Sequence, residues 1–173
     1  MFLIYKLLIN LIFFFSPIIL IFRLLKGKED LNRFREKFGF YTKKRLKGRL
    51  IWFHGASVGE IKSVIPLIEK FEKNNKIKQV LVTSNTLSSS TVLKKYKFKK
   101  TIHQFFPIDC NFISKKFLKY WKPSKVFFID SEIWPNTINN LSNQKIPIIL
   151  LNGRITKKTF QKWLFFPKFA KSL

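Results

Sequence analysis

The stretch Ile51-Trp-Phe-His-Gly-Ala-Ser-Val-Gly-Glu60 decides the fold, because a short apolar run breaks into a glycine-containing turn and then opens a helix on a carboxylate. Leu50 to Phe53 reads as a buried strand. Glu60 to Phe71 places Ile61, Val64, Ile65, Ile68 and Phe71 at helical spacing. The turn therefore joins a strand to a helix N-terminus, where unpaired backbone N–H groups and a partial positive charge favour an anion or a carboxylate side chain. Ser57-Val-Gly-Glu60 also fits a capping box, in which the Ser hydroxyl accepts from the N–H three residues on and the Glu carboxylate reaches back. Both readings of Glu60, structural cap and reacting carboxylate, stand at this point.

Working outward, strands are expected over 50–53, 79–84, 101–106, 125–129 and 146–151. Helices are expected between and after them, over 60–73, 88–96, 111–120, 135–143 and 156–163. Such alternation specifies a parallel sheet covered by helices on both faces. In sheets of that kind ligands bind outside the C-terminal strand ends. Glu60, Thr83, Asp109, Glu132 and Asn152 should all emerge there. A second carboxylate cluster, Asp130-Ser-Glu-Ile-Trp-Pro-Asn136, follows the apolar run Lys125 to Ile129 and precedes a helix starting near Pro135. Pro135 suits a first helical turn, and Trp134 suits core packing. Asp109, in Phe106-Pro-Ile-Asp109, reads as a cap for the helix after it.

His54-Gly-Ala-Ser-Val-Gly-Glu60, Asp130-Ser-Glu-Ile-Trp-Pro-Asn136 and Asn152-Gly-Arg154, in this order, resemble the membrane-anchored Kdo transferases of Gram-negative bacteria. The resemblance implies a GT-B enzyme that moves 3-deoxy-D-manno-octulosonic acid (Kdo) from CMP-Kdo to a lipid A precursor (lipid IVA) in lipopolysaccharide core biosynthesis, by an inverting, metal-independent transfer. It implies that Glu60 is the catalytic base and that Glu132 shapes the acceptor pocket or assists the base. His54, Ser57, Gly59, Asn152 and Arg154 join them as substrate-binding candidates, the planar fork of Arg154 suiting a phosphate or the Kdo carboxylate. Two places depart from the family pattern. Asp130 stands where Glu is usual, and Ser88-Ser89 replaces a Thr-Gly pair in the loop after the second strand. The expected architecture is α/β: a Rossmann-like parallel sheet, the N-terminal half of a GT-B pair, preceded by a transmembrane or membrane-anchoring helix. Residues 1–25 form the anchor, 26–48 a basic juxtamembrane helix and linker, and 49–173 the Rossmann-like acceptor-binding domain. With 173 residues there is room for one domain plus an anchor, so the nucleotide-binding C-terminal half is expected to lie outside this chain. A catalytically inactive, membrane-bound lipid-binding remnant is the alternative.

Lys and Arg outnumber Asp and Glu by 34 to 9. So basic a surface attracts polyanions, among them anionic inner-membrane lipids and a phosphorylated lipid A precursor. A nucleic-acid binder is the rival class, but no helix-turn-helix, aromatic ribonucleoprotein motif or zinc-finger spacing is legible. The 21 Phe residues fall in apolar runs rather than alternating with cations. Cys110 alone cannot form an internal disulfide, and His54 and His103 supply no metal cluster. The expectation is therefore no metal, no cofactor beyond the donor CMP-Kdo, and no nucleic acid.

Phe2 to Phe22 is nearly all apolar, broken by Lys6, Asn10 and Pro17, and its length approaches the roughly 20 residues that cross hydrocarbon. The following cluster of Arg23, Lys26, Lys28, Arg33, Arg35 and Lys37 places the globular part on the cytoplasmic side of the inner membrane by the positive-inside rule. An interfacial helix is the other way to use the same segment. Glu29 to Phe38 reads as a short basic amphipathic helix, with a solvated linker after it.

Overall fold

The computed structural model describes residues 2–130 and 132–153, together with Lys157, Gln161 and Leu164. Five strands, β1 (Leu50–His54), β2 (Gln79–Ser84), β3 (Thr101–Phe105), β4 (Lys125–Ile129) and β5 (Ile148–Leu151), form one parallel sheet in the order β3-β2-β1-β4-β5. The helices are α1 (Phe2–Leu25), α2 (Val58–Ser63), α3 (Ile65–Lys73), α4 (Leu87–Val92), α5 (Asn111–Trp121) and α6 (Pro135–Asn143). The chain winds outward from β1 to β3, then crosses back to lay β4 on the other side of β1. The crevice at the C-terminal ends of β1 and β4 is therefore a topological switch point.

Alternation along β1 divides the core. Ile51 and Phe53 face a cluster with Ile61, Ile65, Ile68, Val80, Val82 and Ile129, under α2, α3 and α4. Leu50 and Trp52 face the opposite layer with Phe117, Leu118 and Trp121 of α5 and Leu141 of α6. Every residue of β1 and β2 is buried, as expected of a parallel sheet covered on both faces.

Several expected elements differ in detail. The helix expected over 60–73 is two helices parted at Val64: Pro66 has no N–H for the carbonyl four residues back, and α3 takes it in its first turn. The helix expected over 88–96 stops at Val92 and passes into a 3-10 turn. Within it Ser90 and Thr91 hydroxyls donate to the carbonyls of Leu87 and Ser88, a local bonding that weakens helix propagation. Pro147 delays β5 to Ile148, although its carbonyl still accepts from Val126. The helix expected over 156–163 lies outside the described residues.

The segment after α1 is a 3-10 helix over Phe34–Phe38 rather than a helix from Glu29. It is tied to the sheet by a buried ion pair. Arg33 Nε and Nη2 donate to the two Glu36 carboxylate oxygens at 2.9 Å, Thr42 also donates to Glu36, and the Phe105 N–H of β3 donates to Glu36 Oε2 at 2.6 Å. Burial of Glu36 is tolerable because these donors replace the water it lost. Gly39 ends this turn in the left-handed region at φ 77°, where a Cβ would stand 3.0 Å from Ile113.

Candidate active site

His54 ends β1 with no exposed surface, and Thr83 of β2 is its register partner. The Trp52 indole N–H, which can only donate, bonds Thr83 Oγ1 at 2.9 Å. Thr83 Oγ1 also meets His54 Nδ1 at 2.9 Å and reaches the Phe53 carbonyl at 3.4 Å. Nε2 has no hydrogen-bond partner, yet it lies 3.4 Å from Glu132 Oε2, inside ion-pair distance but outside hydrogen-bond geometry. Glu132 Oε2 in turn accepts from the Trp134 indole N–H at 3.0 Å. Phe106 covers the His54 ring at 4.1 Å between centroids and meets Trp134 at 5.0 Å.

The Glu132 carboxylate is delivered by a sharp turn after β4. Asp130 adopts φ 56°, and Asn152, after β5, adopts φ 54°, a left-handed conformation that Asp and Asn tolerate better than most residues. The Asn152 amide donates to Asp130 Oδ1 at 2.5 Å, so Asp130 joins the ends of β4 and β5.

Glu60 sits one turn into α2. Its Oε2 accepts from the Ala56 N–H at 2.7 Å, its Oε1 from the Ser57 hydroxyl at 2.6 Å, and its own N–H donates to Ser57 Oγ at 3.3 Å. This is a capping box in which the carboxylate accepts from the Ala56 N–H rather than the Ser57 N–H. The residue stays partly exposed, and each carboxylate oxygen has one donor. Gly55 lets it approach: a Cβ there would stand 3.1 Å from Glu60 Cβ, 3.0 Å from Ile129 Cδ1 and 3.2 Å from Ile61 Cδ1. Those contacts set Glu60 beside the end of β4, at the switch point. Gly59, in contrast, is exposed, and a Cβ there would meet only Ser57 Oγ at 3.9 Å.

The structure thus brings Glu60, Ser57, His54 and Glu132 to the ends of β1 and β4, with Asn152 one strand further out. Arg154 lies outside the described residues. Asp109 does not cap α5, whose N-terminal residue is preceded by Cys110 without a side-chain cap. Instead it caps α6 across space: Oδ2 accepts from Asn136 N and Oδ1 from Thr137 N, both at 2.9 Å, and Thr137 Oγ1 donates to Oδ1 at 2.6 Å. Burial pushes its pKa up against those bonds. Asn136 is accordingly buried framework, donating its side-chain amide to the Asp109 carbonyl at 2.6 Å. Two contributions were not legible in sequence. Thr83 orients His54, and Trp134 holds Glu132 as well as packing. The first depends on register between distant strands, the second on the local turn that brings Trp134 back over Glu132.

Phe106 and Trp134, which contact His54, also wall a pocket of about 240 Å³ together with Pro107 and Ile108, Ile9 and Ile12 of α1, and Lys37, Asn85 and Asp109. Among the described residues no group of three or more His, Cys, Asp or Glu side chains is placed to hold a metal ion.

A Rossmann-like sheet with carboxylates at its switch point defines a ligand-binding α/β domain. Residues 32–173 match the family model for 3-deoxy-D-manno-octulosonic-acid transferase (kdotransferase), and the chain belongs to that family. It is 36% identical over 163 residues to a probable mitochondrial 3-deoxy-D-manno-octulosonic acid transferase of Arabidopsis thaliana, covering 92% of this chain and 36% of that protein. It is 40% identical over 146 residues to the 3-deoxy-D-manno-octulosonic acid transferase of Rickettsia bellii, covering 84% of this chain and 35% of the relative. The corresponding enzyme of Haemophilus influenzae is 26% identical over 158 residues, covering 89% and 37%. The chain spans little more than a third of the length of these curated relatives.

Proposed function

We propose that this chain supplies the acceptor-binding, base-carrying half of a Kdo transfer from CMP-Kdo to a lipid A precursor, at the cytoplasmic face of the inner membrane. One observation carries the reading: in a chain of this family, Glu60 and Glu132 stand at the ends of β1 and β4, and Trp134, which holds Glu132, is also a wall of a mostly apolar pocket. Glu60 acts as general base. The acceptor hydroxyl oxygen attacks the anomeric carbon of Kdo, the bond from that carbon to the CMP phosphate oxygen breaks with its electron pair leaving on CMP, and the hydroxyl proton passes to Glu60. To accept it the carboxylate gives up one cap bond. Until then the Ala56 N–H and the Ser57 hydroxyl donate to it.

His54 and Glu132 form the acceptor-positioning pair, the carboxylate being held through Oε2 by Trp134. Acyl chains of the acceptor take the pocket by Phe106 and Trp134. Arg154 pairs with an acceptor phosphate or the Kdo carboxylate, and Asn152 orders the same rim. No metal takes part, and the basic surface serves anionic lipid rather than nucleic acid.

The test is Kdo transfer from CMP-Kdo to lipid A precursor by membranes carrying this chain, with and without a nucleotide-binding half supplied in trans. Transfer that needs both is expected. Binding of lipid A precursor with no transfer in either arm would leave a lipid-binding protein and remove the enzymatic reading. Salt-sensitive retention of RNA or DNA, with no preference for lipid A precursor, would remove both.

A further inference from the structure

Helix α1 meets the rest of the chain along a single stripe. Tyr5 donates its hydroxyl to Asp109 Oδ2 at 2.7 Å, and Cys110 Sγ lies 3.6 Å from the Ile9 carbonyl oxygen. Phe13 packs edge-on against Phe38 and Phe112, and Ser16 and Leu20 are buried. Positions 5, 9, 13, 16 and 20 recur in steps of three and four, which is one helix face. The opposite side, including Leu7, Leu11, Phe14, Ile18 and Phe22, is exposed. Beyond the stripe Arg23 bonds Glu29 at 2.6 Å, and Lys37 holds the same carboxylate oxygen, fixing the helix end to the domain.

By length and composition α1 is able to cross a bilayer. An upright span, however, needs lipid all round it. The stripe runs about 22 Å along the helix at roughly 1.5 Å per residue, most of its length, so docking and spanning exclude each other. An interfacial helix normally keeps a polar face toward water. Here the folded domain occupies that face, and the remainder is apolar apart from Lys6 and Asn10. Lys26 and Lys28, exposed just past the helix, are placed to meet anionic headgroups.

We propose that α1 lies flat in one leaflet of an anionic bilayer, docked on the domain through Tyr5, Ile9, Phe13, Ser16 and Leu20, and does not cross the membrane. The lipid-exposed helix then forms one wall of the pocket beside Trp134, through Ile9 and Ile12, so acyl chains enter at bilayer depth. The inference rests on reading α1 as the membrane anchor, and a first measurement separates the two.

The full chain is reconstituted in vesicles of phosphatidylethanolamine and phosphatidylglycerol and floated on a density gradient. A chain that does not float overturns the anchor reading and this inference with it. For the floating fraction, Ile9→Cys is oxidised with copper phenanthroline, with Leu11→Cys, on the exposed side, as control. Ile9→Cys is expected to lose most of its free thiol through a disulfide with Cys110, and Leu11→Cys to lose none beyond background. A second variant carries one added cysteine ahead of Met1 in a Cys110→Ser background, in vesicles whose globular domain is cleaved by external trypsin. In-plane docking predicts labelling by an impermeant maleimide from that same side. Labelling only after detergent opens the vesicles, or no excess disulfide in Ile9→Cys, would overturn the in-plane arrangement while leaving membrane attachment intact.

Discussion

Glu60 holds two roles that one atom change separates. Gln at position 60 keeps an oxygen and a donor for the capping box but cannot take a proton, so Glu60→Gln should melt within a degree or two of the parent, while Glu60→Ala should lose about 1 kcal/mol of stability by thermal or urea unfolding. Thr83 offers a sharper structural case. Thr83→Val orphans the Trp52 indole N–H and releases His54, and should cost on the order of 1–3 kcal/mol in chemical denaturation. His54, Glu60 and Glu132 were legible in sequence because each stands at the end of an apolar run, where strands deliver side chains to ligands. Thr83 as the partner of His54 was not, since nothing local to Val82 or Ser84 reveals which strand lies beside β1. Asp109 was misplaced for the same reason. Its neighbour in sequence is α5, but the free N–H groups it satisfies belong to α6, brought to it by the packing of the two helices. Removing it in Asp109→Ala should cost about 2–4 kcal/mol, because two backbone donors and the Thr137 hydroxyl lose their acceptor together.

At the level of elements, period and punctuation placed all five strands and most helices, and failed where a side chain or a proline intervened. Pro66 split one helix and Pro147 shortened one strand. The hydroxyls of Ser90 and Thr91 stopped α4. Glu29 to Phe38 differs for another reason: its pattern suggests a short basic amphipathic helix, yet Arg33 and Glu36 neutralise one another in the interior against β3. In α1, Pro17 denies the Phe13 carbonyl its usual partner four residues on, and the Ser16 hydroxyl donates to that carbonyl at 2.6 Å. Ser16→Ala should therefore bend or fray α1, costing about 1 kcal/mol and lowering its helicity by circular dichroism in detergent.

Across the whole molecule, only nine carboxylates offset thirty-four cations. Three of the nine, Glu60, Asp130 and Glu132, gather at the ends of β1 and β4, while Glu29, Glu36 and Asp109 are buried with donors of their own. Acid sensitivity has a separate source. Burial, with Arg33, Lys43 and Lys94 adding to it, holds His103 down at about 3, and its Nδ1 accepts from Arg33. A histidine depressed in the folded state stabilises above its unfolded pKa near 6.5 and loses that contribution as pH falls toward 3. Stability should thus drop by up to about 1.4 kcal/mol per pH unit below pH 6, a slope that His103→Gln should flatten by about one proton. The claim on which the functional account turns is that Glu60 takes the acceptor proton. It is tested most directly by single-turnover Kdo transfer with Glu60→Gln in the assembled enzyme, with lipid A precursor binding and thermal midpoint measured on the same preparation. The account predicts a rate lower by about a hundredfold or more with binding and melting unchanged, and transfer at the parental rate would contradict it.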